Sequence, residues 1–217
     1  MQTNMEEESP KREIPPMLRT LLAFDIQFTE HFVKWVENFM PMRQLKMHYT
    51  ALEITCHGIL WFSALLASIW IFNSKSLYQM QVNLLIALLM DIIIIGLVKA
   101  LVRRRRPVCT DDPFAMGPDK YSFPSGHASR ALLVAYFFVY LWPVPMICFP
   151  PLLAWVVAVS LSRLLMKRHY ILDVLAGLLI GYGEGLLTSL VYLEANTCLS
   201  FISFITDEKI DGAEYDV

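Results

Sequence analysis

The sequence is poor in charge: only 18% of its 217 residues are Asp, Glu, Lys or Arg, against about 25% in an ordinary soluble domain. It has no closely spaced cysteines. Cys56, Cys109, Cys148 and Cys198 stand far apart, which argues against a metal knuckle and for unpaired thiols acting as small apolar side chains. It has no excess of positive charge; the net charge of −2 offers nothing to a nucleic acid. It has no basic start leading into an apolar run, so no cleaved secretory signal is expected. It also has no internal repeat of fixed period, and so gives no support to a repeat-built transporter or channel.

What the chain has is apolar length. Hydrophobic residues make up 56% of it, and the mean hydropathy is +0.47. Long apolar segments recur at Ala51–Phe72, Leu77–Val102, His127–Val144, Pro145–Met166 and Ile171–Leu193. Each is near the roughly 20 residues that a helix needs to cross hydrocarbon, and helix is the assignment that satisfies the backbone there. Met17–Met40 differs: Leu18, Leu21, Leu22, Phe24, Phe28, Phe32, Trp35, Val36 and Phe39 alternate with Arg19, Asp25, Glu30, Lys34 and Glu37. That pattern predicts an amphipathic helix lying in the interface or against the bundle. The fold expected is therefore all-α, a multi-pass bundle of five spanning helices plus an N-terminal amphipathic helix. Residues 1–16, with three consecutive glutamates and several prolines, read as a disordered arm, 17–205 as one membrane domain and 206–217 as a flexible acidic tail.

Chemistry has to come from the polar islands between these runs. Parity of crossings puts Arg103–Pro124 and Arg163–Tyr170 on one side of the membrane. Three clusters can meet there. The first is Lys99 to Pro107, in which Lys99 and Arg106 are about two helical turns apart and can share a face. An ammonium and a planar guanidinium together suit a phosphate, although a basic run after a span usually just anchors it, the role expected of Arg103, Arg104 and Arg105. The second is Pro124-Ser125-Gly126-His127 before an apolar run. Ser125 is a natural N-cap, Gly126 allows close approach to the backbone, and a helix start binds anions. In the third, Ser162-Arg163 precedes His169 and Asp173, which are four apart and so neighbours on a helical face. A carboxylate beside one ring nitrogen makes the other more nucleophilic; the plain alternative is an interfacial ion pair. Asp91 and Glu184, inside apolar runs, read as helix–helix hydrogen-bonding partners.

Eleven positions in these clusters match the three-part pattern K-x6-R-P, P-S-G-H and S-R-x5-H-x3-D without departure. The chain thereby resembles the type 2 phosphatidic acid phosphatase superfamily, which shares its site with vanadium haloperoxidases and bacterial acid phosphatases. The resemblance spans Leu77 to about Leu193 and makes the Leu77–Val102 helix the third of six, with Met17–Met40 a degenerate first. It implies His169 as nucleophile, Asp173 as its orienting carboxylate, and His127 as acid and then base. Lys99, Arg106, Ser125, Gly126 and Arg163 would hold the phosphate oxygens, with no metal and no cofactor. The stretches Lys99–Pro107 and Asp119–His127 are most similar to the polyisoprenoid and presqualene diphosphate phosphatases.

The expected function is thus a membrane hydrolase of isoprenoid diphosphates or monophosphates, and of phosphatidate. Its partners would be the lipid substrate and bilayer lipids, with no nucleic acid and with homo-oligomerisation open. Alternatives are a phosphatidate or sphingoid phosphate phosphatase, and a catalytically silent nuclear-envelope scaffold of the same fold; a soluble haloperoxidase conflicts with the apolar runs. The excess of Lys and Arg on the site side points to a cytosolic site, and the reading is of an endoplasmic reticulum or nuclear envelope protein.

Overall fold

The computed structural model describes residues 15–39, 42–108 and 120–206. The expected N-terminal arm up to residue 14, the tail from 207, and Cys109 lie outside these described residues. Among the described residues, eight α-helices follow in order: α1 Pro16–Phe39, α2 Met42–Thr55, α3 Gly58–Phe72, α4 Lys75–Val102, α5 Gly126–Tyr136, α6 Phe149–Leu165, α7 Ile171–Leu190 and α8 Ala195–Thr206. No strand occurs among the described residues.

Among the described residues, three helices are long and apolar enough to cross a bilayer, at Lys75–Val102, Met146–Leu165 and Ile171–Leu190. Their outward faces carry Leu89, Ile93, Leu97 and Leu101 on α4 and Leu175, Leu179 and Leu186 on α7, all exposed. Apolar stripes of that extent need a lipid environment. The count of five spans is not met. Met47–Thr55 and Gly58–Phe72 are bent by 52°, so together they supply a fourth span only if they are one broken crossing. The break has a physical cause. At Cys56 and His57 the helix turns tighten onto the Glu53 and Ile54 carbonyls, and the Cys56 carbonyl accepts from Arg130 Nη1 at 3.1 Å. The fifth expected run is helical over Gly126–Leu141, shorter than the other spans. It ends in a π-turn, Phe137–Leu141, ahead of Pro143, which cannot continue a helix.

The N-terminal amphipathic helix forms, as α1. Two helices were not foreseen. α2 is too polar to read as a buried segment, and α8 begins beyond the last long apolar run. Asn83 on α4 fixes the α7–α8 connection, donating to Leu193 O at 3.0 Å and accepting from Leu193 N at 2.8 Å.

The packing that matters most for function is α5 against α7. Gly177, Gly181 and Gly185 recur every four residues on α7, the small-residue stripe that lets helix backbones touch in a membrane. A Cβ at Gly177 would stand 2.4 Å from Ser125 O, and one at Gly181 2.2 Å from Ser129 O. This contact holds the start of α5 beside the start of α7. Across the same interface, Ser129 donates to Glu184 Oε2 at 3.0 Å, and on the other side of α5 Arg130 pairs with Asp91 Oδ2 of α4 at 2.7 Å. The two carboxyl groups inside spans therefore do find helix–helix partners.

Candidate active site

The three polar clusters meet at one end of the bundle. Ser125 is the N-cap of α5, its hydroxyl accepting from Ala128 N. The N–H of Ser125 donates to the carbonyl of Asp173 at 2.9 Å, and the N–H of Ser122 to the carbonyl of Arg104 at 2.8 Å. Main-chain bonds thus join the second cluster to the third and to the first. The loop after α6 folds back on itself: the N–H groups of Arg168 and His169 both donate to Arg163 O, and the turn passes through a left-handed residue, Lys167, at φ 56. His169 is delivered to the mouth of the bundle just before α7 begins.

His169 is 3% exposed. Its Nδ1 lies 2.7 Å from the carbonyl oxygen of Ser122. A carbonyl only accepts, so Nδ1 carries the hydrogen and Nε2 keeps the lone pair. Burial, and then the charges of Arg163, Arg106 and Lys99, hold the ring's pKa well below the usual histidine value, against a smaller opposing pull from the Ser122 carbonyl. Both effects favour the neutral ring. His127 stands close enough to His169, Arg163 and Lys99 to feel their charges, and its Nε2 is buried with no hydrogen-bond partner among the described residues.

Lys99 and Arg163 are buried cations, 4% and 2% exposed. Arg163 is engaged by Glu53 Oε1 at 3.0 Å, the one charged residue of the apolar run Ala51–Phe72. Gly126 is packed under Ile95, whose Cγ2 would lie 3.2 Å from an added Cβ. All eight site residues expected from the sequence lie at this end of the bundle, on α4 and its exit, the start of α5, the end of α6 and the start of α7.

Two features depart from expectation. Asp173 Oδ2 is 3.9 Å from His169 Nδ1, beyond hydrogen-bond range. Its carboxylate instead accepts from Tyr170 N at 2.9 Å and from Arg104 Nη1 at 2.7 Å. And Arg104 is no mere membrane anchor. While Arg103 and Arg105 are exposed, Arg104 turns inward to Asp173 and to Asp25 of α1. The signal missed was the carbonyl of Ser122, because main-chain acceptors carry no side-chain signature.

A profile of the family described as the PAP2 superfamily matches residues 81–196. A relative described as probable lipid phosphate phosphatase beta, from Arabidopsis thaliana, is 34% identical over 140 residues, which are 52% of this chain and 66% of the relative's length. The match thus spans just under two thirds of that protein. Among solved structures, the crystal structure of LpxE from Aquifex aeolicus superposes with a TM-score of 0.52 at 20% identity, covering 67% of this chain and 85% of that one. At that identity the likeness is one of fold.

Proposed function

The chain belongs to the PAP2 superfamily, and from that premise we propose that it is a membrane lipid phosphatase working through a phosphohistidine. The observation that carries this reading is the bond from His169 Nδ1 to Ser122 O, because it leaves Nε2 as the only nitrogen with a lone pair, in a neutral ring among cations.

In the first step His169 Nε2 attacks phosphorus in line, a P–N bond forms, and the bond from phosphorus to the leaving oxygen breaks. His127 gives that oxygen its proton. The incoming phosphate supplies the negative charge that favours the protonated form of His127. In the second step His127 takes a proton from water, whose oxygen attacks phosphorus and releases His169. Lys99, Arg106 and Arg163, with the Ser125 hydroxyl and the Gly126 amide, hold the non-bridging oxygens. Phosphoryl transfer depends on such positioning and charge stabilisation above all, so the donor set can serve without a metal ion. Arg163 exchanges part of its contact with Glu53 for the substrate oxygens.

The substrate class favoured is an isoprenoid diphosphate or monophosphate, with phosphatidate as a further substrate. The apolar stripes beside the site suit a lipid tail, and the basic stretch Lys99–Pro107 suits a diphosphate head. The Lys and Arg residues around the site favour a cytosolic orientation in the endoplasmic reticulum or nuclear envelope. The test is phosphate release by the detergent-purified chain from farnesyl diphosphate, phosphatidate and sphingosine phosphate, with chelator present. Release by wild type and not by His169→Ala is expected. Release that needs added magnesium, or that survives His169→Ala, overturns the reading.

A further inference from the structure

We propose that Arg104 and Asp25 are positioning residues for His169, which makes the amphipathic helix α1 a working part of the active site. The proposal rests on the reading of His169 as the phosphoryl acceptor and deepens it.

The geometry is specific. Arg104 Nη1 meets Asp173 Oδ1 at 2.7 Å, and Nη2 meets Asp25 Oδ2 at 2.6 Å, with side-chain exposures of 10%, 0% and 3% for Arg104, Asp173 and Asp25. The guanidinium lies over the Tyr170 ring, 4.1 Å from its centroid. One planar fork spanning two buried carboxylates is an arrangement that only arginine makes. The carboxylates are fixed in turn. Asp25 Oδ1 accepts from Leu172 N at 3.0 Å, Thr29 Oγ1 from Ile171 N at 3.1 Å, and Asp173 Oδ2 from Tyr170 N at 2.9 Å. Two side chains of α1 thus satisfy amide groups at the start of α7 that no intrahelical partner can reach.

Both routes to the His169 ring pass through Arg104. Its carbonyl accepts from Ser122 N, and the Ser122 carbonyl accepts from His169 Nδ1. Its side chain neutralises Asp173 and holds that carboxylate 3.9 Å from the same Nδ1. Arg104 is held on the side of Nδ1, away from the nitrogen that attacks, so its action is through other residues. Without its charge, Asp173 is free to swing onto Nδ1 and displace Ser122 O. The ring would turn, Nε2 would leave its line of attack, and the imidazolium would gain a partner. The other groups bearing on the ring are Lys99 and Arg106 from α4 and its exit, Arg163 from α6, and His127 from α5.

The experiment uses the full chain in detergent micelles as wild type, Arg104→Gln, Arg104→Lys and Asp25→Asn. Each is measured for kcat, KM, vanadate inhibition and melting temperature. 15N-histidine NMR, with His169 assigned by substitution, follows the ring without turnover. Arg104→Gln should lower kcat roughly 10- to 100-fold, the range typical of groups that orient a reactive ligand. KM and vanadate inhibition should stay within about threefold, since no phosphate contact is lost. The His169 titration should move to higher pH. Arg104→Lys should recover only part of kcat. Asp25→Asn should show a smaller loss, and adding it to Arg104→Gln should cost nothing further, because the pair acts as one unit. A His169 titration unmoved in folded Arg104→Gln and Arg104→Lys overturns the proposal. So does a loss expressed in KM and vanadate affinity, which would make Arg104 a phosphate ligand. If wild-type protein releases no phosphate but the titration moves as stated, the functional reading fails and the positioning geometry stands.

Discussion

The main-chain N–H of Ser125 donates to the carbonyl of Asp173 at 2.9 Å, which ties the start of α5 to the start of α7. His127, at the start of α5, and the turn that carries His169 into α7 are thereby held in register by backbone, and side chains only refine what that contact sets. The contact exists because α7 presents glycine to α5.

Gly181→Ala should therefore separate the two helices. The new Cβ meets Ser129 O, a backbone atom that cannot rotate away. Overpacking of this kind costs about 1–3 kcal/mol. Thermal unfolding in detergent should show a clear drop in melting temperature. Gly183→Ala, where an added Cβ meets nothing within 4 Å, should leave it nearly unchanged.

Arg163→Ala should lower kcat/KM by about 100- to 1,000-fold, the usual effect of removing one preorganised donor from a developing oxyanion. Arg163→Lys keeps the charge but loses the fork, and should recover only part of it. Steady-state kinetics with vanadate as competitor will check both, since vanadate affinity should fall in parallel.

The pH dependence follows from His169. Its pKa is lowered, first by burial and then by Arg163, Arg106 and Lys99. The proposed nucleophile therefore stays neutral as pH falls below the ordinary histidine value of about 6.5. The acid limb of kcat/KM should lie below that value, and Lys99→Met should move it upward. Stability has the same sign. The unfolded ring takes up a proton near its ordinary pKa while the folded ring does not. The fold therefore loses stability as pH drops below about 6.5, and this group has no effect above it.

Arg130→Met should destabilise the bundle more than Asp91→Asn. It leaves the Asp91 carboxylate, paired at 2.7 Å with Arg130, buried without its counter-charge. Breaking one side of a buried pair costs about 3–5 kcal/mol. Chemical denaturation in mixed micelles would rank the two.

The meeting of the polar clusters was legible in the sequence because their residues stand at fixed spacing, Lys99 with Arg106 and Ser125 before His127, whereas the four-residue spacing of His169 and Asp173 leaves them 3.9 Å apart. The amphipathic α1 was legible from its alternation of aromatic and charged residues. What stayed hidden was long-range. Arg104 sits in a run of four arginines, where the pattern says membrane anchor, and only the fold reveals Asp25, 79 positions away, as its partner. Ser122 contributes a carbonyl, which any residue has. The break at Cys56–His57 was hidden because Arg130, which binds the Cys56 carbonyl, arrives from α5. The role of Glu53 was hidden because its partner Arg163 lies on α6.

The account stands most directly on where the phosphoryl group goes. Protein quenched in alkali during turnover, digested and mapped by mass spectrometry should carry phosphate on His169, at Nε2, and on no other side chain. A phosphoryl group found on His127, or on any serine or aspartate of the site, would contradict it.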